Sequence, residues 1–154
     1  MIKVMFVCHG NICRSPMGEI IFKDMVKKQG LEDKFLIDSS ATSREELGNG
    51  VYPLAARKLR SVGLNPRGHR AKQFTVGDYK KFDYVLVMED FNRRNLLRII
   101  GSDSDKKIFR LLDFTDSPRD IADPWYTDNF DLAYDEISEG CLVFLNYLKS
   151  RKLC

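Results

Sequence analysis

A short apolar run, Ile2 to Val7, leads without a break into Cys8-His9-Gly10-Asn11-Ile12-Cys13-Arg14-Ser15-Pro16. The run has the length and composition of a parallel strand buried on both faces, and from Pro16 onward the apolar residues recur at helical spacing. The stretch between them is therefore a strand-to-helix loop. Five residues separate Cys8 from Arg14, and Ser15 follows. A loop of that length can curl so that several backbone N–H groups point at one centre. Gly10 permits backbone conformations that side chains forbid, and Asn11 tolerates the left-handed region better than most residues. The following helix adds the positive end of its dipole, and Arg14 offers two parallel N–H donors to the oxygens of a phosphate. Amides, dipole and guanidinium that bind a dianion also stabilise a thiolate, so Cys8 reads as a nucleophile. A lone Cys at a strand end is more often a small buried hydrophobe. Here the strand, Gly10, Asn11, Ser15 and Pro16 each meet a separate demand of an oxyanion cradle.

The remaining pattern alternates strands and helices. Pro16 to Gly30 carries a helical stripe through Met17, Ile20, Ile21, Met25 and Val26. Phe35 to Ser40 reads as a second strand, and Ala41 to Tyr52, with Gly48 and Gly50, as a loop. Pro53 starts a helix over Leu54 to Val62, stopped by Gly63. Asn65 to Gln73 is basic, Phe82 to Met88 is a third strand, and Asp90 and Asn92 open a helix reaching Ile100. Lys107 to Leu112 is a weaker fourth strand. Asp113 to Asp128 is a long acidic loop, of a length that usually carries function. Phe130 to Leu148 closes the chain as a helix whose apolar side takes Leu132, Ile137, Cys141, Phe144, Leu145 and Leu148. This alternation argues for an α/β fold, a doubly wound parallel sheet with helices on both faces. In such sheets ligands bind beyond the carboxyl ends of the strands, where Cys8 stands.

With Asp123-Pro124-Trp125-Tyr126 far downstream, the Cys8 to Pro16 loop closely resembles that of the low-molecular-weight protein tyrosine phosphatases. The resemblance runs from about Lys3 to the last helix, and implies a four-stranded parallel sheet of order 2-1-3-4, flavodoxin-like. It implies hydrolysis of phosphotyrosine through a cysteinyl-phosphate on Cys8, with Asp123 as general acid and then base, and with neither cofactor nor metal. Arg14 and the amides of His9, Gly10, Asn11, Ile12, Cys13, Arg14 and Ser15 would bind the phosphoryl oxygens, with Trp125 and Tyr126 flanking an aromatic leaving group. Ser15 would stabilise the departing thiolate, and Ser39 and His69 would join it in holding Asn11. Asp113, Asp116, Asp120 and Asp128 are expected to be solvated loop charges. The family commonly has Leu or Thr at the position of His9, whose side chain is expected on the rim. Many eukaryotic members carry a Trp on the wall after the second strand, where this chain has Arg44-Glu45-Glu46-Leu47, as bacterial members do.

Related activities leave different marks. Arsenate reductases of this fold relay a disulfide to Cys residues past mid-chain, and Phe74 to Arg110 contains none. Protein-arginine phosphatases carry Thr where Ile12 stands, and the bulkier apolar side chain favours an aryl phosphate. A non-catalytic phosphate-binding module would lack the nucleophile or the acid, and a flavodoxin-like electron carrier gives no reason for a thiol and an Arg in the cradle.

At 154 residues, 44% hydrophobic and 31% charged, the chain is expected to form one globular domain, 1–154, in the cytoplasm. No stretch is long enough to span a bilayer, so no membrane partner is expected. A formal charge of +3, from 25 basic and 22 acidic residues, argues against nucleic acid but suits anionic ligands such as phosphotyrosine proteins and inhibitory oxyanions. Four Cys need no disulfide in a reducing compartment, and Cys8 and Cys13 lack nearby partners for zinc. Their spacing across the curled loop instead makes them a candidate redox pair.

Overall fold

The computed structural model describes residues 1–154. Its four parallel strands, β1 (Ile2–Cys8), β2 (Phe35–Ala41), β3 (Tyr84–Val87) and β4 (Ile108–Arg110), lie in the order β2-β1-β3-β4. β1 is central, pairing Cys8 with Ala41 on one side and Val7 with Val87 on the other. A central strand is covered on both faces, which is why Ile2–Val7 has to be nearly all apolar. Val4 and Phe6 face the larger core with α1 (Arg14–Lys28) and α6 (Phe130–Ser150), while Met5 and Val7 face a smaller one with Phe74, Tyr79, Phe82 and Leu96. The remaining helices are α2 (Pro53–Ser61), α3 (Val76–Lys81), α4 (Asp90–Ile100) and α5 (Pro124–Thr127).

Two glycines set how closely the helices of the larger core approach. A β-carbon on Gly18 would stand 2.6 Å from Phe6 Cδ1, and one on Gly140 2.5 Å from Leu111 Cγ. Glycine at position 18 lets α1 lie against β1 at this depth.

Several elements depart from the sequence pattern. α1 starts at Arg14 rather than Pro16, so Pro16 lies within the first turn, where its missing N–H matters little. The short α3 has no long apolar stripe; it rests on a capping box in which Thr75 Oγ1 accepts from Asp78 N and Asp78 accepts from Thr75 N. β3 is shorter than Phe82–Met88 because Phe82 caps α3 and Asp83 bonds to the backbone of Lys3. β4 is also short, giving way to a 3-10 turn at Leu111–Phe114. The acidic loop contains α5, and α6 runs on to Ser150. Leu132, expected on the apolar side of α6, is 45% exposed because Ala133 and Phe130 occupy the inward positions of that turn. Asp113 and Asp120 do more than carry solvated charge: both hold Arg110, Asp120 while half exposed, and Asp113 also reaches Arg93.

No helix is long and apolar enough to cross a membrane.

Candidate active site

The loop after β1 curls around the sulfur of Cys8. Backbone N–H groups of Asn11 and Ser15 donate to Cys8 Sγ at 3.3 and 3.4 Å, and Ser15 Oγ lies 3.0 Å away. The sulfur thus occupies the place where converging amides would hold an anion. The curl depends on Asn11, whose φ of 60° puts a non-glycine residue in the left-handed region, fully buried. Its side chain is used completely. Nδ2 donates to Ser15 Oγ at 2.8 Å and Ser39 Oγ at 3.0 Å, and Oδ1 accepts from Lys72 N at 3.2 Å. His69 Nε2 donates to the Asn11 carbonyl at 2.6 Å. His69 and Lys72 reach this point because the basic segment after α2 runs beside the end of β2, bonded through Ala41 and Lys72.

Arg14 is 1% exposed, yet three acceptors surround its guanidinium. Nη1 donates to Glu89 Oε2 at 3.0 Å and to the Ile121 carbonyl at 2.8 Å, while Nη2 lies 3.2 Å from Asp123 Oδ2. Burial works against the charge, but Cys8, Asp123 and Glu89 outweigh it and hold the Arg14 pKa above its ordinary value. A buried cation with its plane fixed this way is set to meet two phosphoryl oxygens. Asp123 approaches from the acidic loop as the N-cap of α5, with Oδ1 accepting from Trp125 N at 3.0 Å.

These residues share one cleft of about 220 Å³. Cys8, His9, Gly10, Ile12, Cys13 and Arg14 line it from the loop, Asp123, Trp125 and Tyr126 from the α5 side, and Glu45 and Glu46 from the loop after β2. Trp125 and Tyr126 are 53% and 85% exposed, and Tyr52 packs edge-on against Trp125 at 4.9 Å between ring centres. His9 stands on the rim, bonded to Glu45 at 3.0 Å and stacked on Phe91. Cys13 is buried, and desolvation, followed by the neighbouring Cys8, pushes its thiol pKa well up.

Residues 3–153 match the family described as low molecular weight phosphotyrosine protein phosphatase. The chain belongs to that family. It is 38% identical over 99% of both chains to the low molecular weight protein-tyrosine-phosphatase YfkJ of Bacillus subtilis, and superposes on the crystal structure of YfkJ with a TM-score of 0.95, covering 99% of this chain and 97% of that one. The low molecular weight phosphotyrosine protein phosphatase of Sus scrofa is 36% identical over 96% of each chain. The crystal structure of a Drosophila arginine phosphatase is also similar, at 31% identity and a TM-score of 0.87, with 96% of this chain and 98% of that one covered.

The structure thus places Cys8, Arg14 and Asp123 at one point and gathers Ser15, Ser39 and His69 around Asn11. Sequence reading missed Glu89, which orients Arg14 from the start of α4, and Glu19, whose Oε1 accepts from Ser39 Oγ at 2.6 Å. Glu19 had a readable signal, lying one helical turn past Ser15 on the same side of α1. Glu89 had none, because only the pairing of β3 with β1 brings it to Arg14.

Proposed function

We propose that this chain is a phosphatase of a single domain, hydrolysing phosphotyrosine in proteins and small aryl phosphates. The observation that carries the reading is the convergence of Asn11 N, Ser15 N and Ser15 Oγ on Cys8 Sγ, with Arg14 and Asp123 at the same cleft. The phosphoryl group would sit over Cys8 with its equatorial oxygens on the loop amides and Arg14, displacing Asp123 from Nη2. Cys8 Sγ attacks phosphorus as the bond to the tyrosyl oxygen breaks, and Asp123 gives that oxygen its proton. In the second step Asp123 takes a proton from the attacking water, the P–S bond breaks, and Ser15 Oγ supports the returning thiolate. Loop amides and Arg14 hold the transferred group throughout, so fixed electrostatics supply much of the rate. Inorganic phosphate and similar oxyanions should inhibit by occupying the same cradle.

Four free cysteines and a thiol nucleophile suit a reducing compartment, and we assign the protein to the cytoplasm on that ground. Oxidation of Cys8, with Cys13 as its partner, is the corresponding control.

Turnover of p-nitrophenyl phosphate and a phosphotyrosine peptide by wild type and Cys8→Ser tests the reading. The variant should lose turnover yet still bind phosphate or vanadate, since amides and Arg14 remain. Activity in Cys8→Ser, or none in wild type, overturns it. Likeness to the Drosophila arginine phosphatase makes phosphoarginine the second substrate to include. Ile12 lines the cleft and is 9% exposed, an apolar contact suited to an aryl ring. A preference for phosphoarginine would reassign the substrate.

A further inference from the structure

The charge at the mouth of the cleft is opposite in sign to that of the molecule. The chain carries a net +3, yet the lining residues include Glu45, Glu46 and Asp123 against Arg14 alone from the lysines and arginines. Arg14 is already engaged, and so is the imidazole of His9. Arg14 is buried under the cradle between Glu89 and Asp123, and His9 bonds to Glu45. Glu46 has only the amide of Asn49 as partner, at 2.6 Å, and its stem lies across the loop: a β-carbon on Gly10 would stand 3.5 Å from Glu46 Cγ. Its charge is felt within the cradle, where it adds to the upward push on the Cys13 thiol. Arg44, the one cation of this short loop, does not line the cleft.

On the α5 side, past Asp123, the wall is aromatic, from Trp125 and Tyr126. A phosphotyrosine in the cradle would have its ring along that wall and its flanking residues near the carboxylates. Acidic flanks would meet two like charges, and a basic side chain would meet the unpaired one.

We propose that Glu45 and Glu46 are specificity determinants, selecting phosphotyrosines with a lysine or arginine close in sequence and rejecting those in acidic surroundings. The proposal rests on the phosphotyrosine reading and narrows it to a substrate class. Rim charges act mainly on encounter and ground-state binding, so the preference belongs in KM and fades as salt screens it.

The test is a set of phosphotyrosine peptides identical except for Arg, neutral or Glu residues beside the phosphotyrosine, each normalised to p-nitrophenyl phosphate hydrolysis by the same preparation. Wild type should favour the basic peptide over the acidic one by about fivefold in kcat/KM at low salt. Glu45→Gln/Glu46→Gln should bring that ratio close to unity, and Glu46→Lys should reverse it. Both positions are partly or fully open to solvent, and a thermal melt checks that the variants are folded. Equal use of all peptides by wild type, a preference for acidic ones, or a basic preference that survives both variants overturns the assignment while leaving the phosphatase reading intact. Failure to hydrolyse p-nitrophenyl phosphate at all removes the phosphatase reading instead.

Discussion

Asn11 joins backbone conformation to chemistry. Its left-handed φ turns its own N–H toward Cys8 Sγ, and its side chain spans Ser15, Ser39 and Lys72 to hold that turn. Glycine at this position keeps the conformation and loses the ties; alanine loses the ties and adds strain. Asn11→Ala should therefore be less stable in urea unfolding than Asn11→Gly by about 1 kcal/mol, with both slower than wild type. Equal stability would mean that φ carries no strain. Asp123 acts at the same scale through proton transfer. Asp123→Asn should slow hydrolysis strongly for alkyl or weakly acidic phenol leaving groups and far less for nitrophenolate, which leaves without a proton. A uniform loss across leaving groups would assign Asp123 a structural role through its bond to Trp125 N. Local chemistry of this kind was legible in the sequence because Cys8 to Pro16 is contiguous. Glu89 was hidden, being 75 residues from Arg14 along the chain and adjacent only after folding.

Elements with apolar periods or with terminal signals such as Pro53 and Asp90 were readable, and the one short helix that rests on its cap alone was not. β1, α1, α2 and α6 announce themselves by burial on one or both faces. α3 consists of six residues with only Tyr79 buried, and its Thr75–Asp78 cap escapes a search for apolar spacing. β3 and β4 were overestimated because apolar residues continue past the last ladder bond into buried turns at Met88 and Leu111. The loop between β1 and α1 also carries the redox expectation. Peroxide would convert the Cys8 thiolate to a sulfenic acid, and attack by the Cys13 sulfur on that sulfur would form the disulfide and release water. Burial raises the Cys13 pKa, so this resolving step should be slow near neutrality and faster in alkali. Dithiothreitol should restore peroxide-treated wild type but restore Cys13→Ser poorly. Mass spectrometry should find the Cys8–Cys13 bond. Full recovery of Cys13→Ser, or a bond only to Cys141 or Cys154, would remove Cys13 from this role.

At the scale of the molecule, strand–helix alternation pointed to a parallel sheet, and its order 2-1-3-4 came from the family resemblance alone. The depth of packing came from neither, since it depends on which glycines face aromatic or leucine side chains across the core. That packing has a consequence for alkaline stability. Cys141 is completely buried between α6 and α1, its sulfur 3.9 Å from the Gly18 carbonyl, and desolvation drives its pKa well up, as it does for Cys13. In the unfolded chain both thiols ionise near the ordinary value of 9.0. In the folded chain they keep their protons to higher pH. Their contribution is therefore fully present below the unfolded value and is lost as pH rises above it toward the folded pKa, because only the unfolded state releases protons in that window. Each thiol can remove at most about 1.4 kcal/mol per pH unit, so the pair gives a limiting slope of about 2.7 kcal/mol per unit. Tyr79 and Tyr84, raised by desolvation, add to the loss above their ordinary value of 10.0. Urea unfolding in reducing buffer from about pH 8 to about pH 10 should show wild type weakening steadily above pH 9, and Cys141→Ala weakening about half as steeply up to the tyrosine range. Parallel slopes for the two proteins would mean that burial of Cys141 does not couple its ionisation to folding.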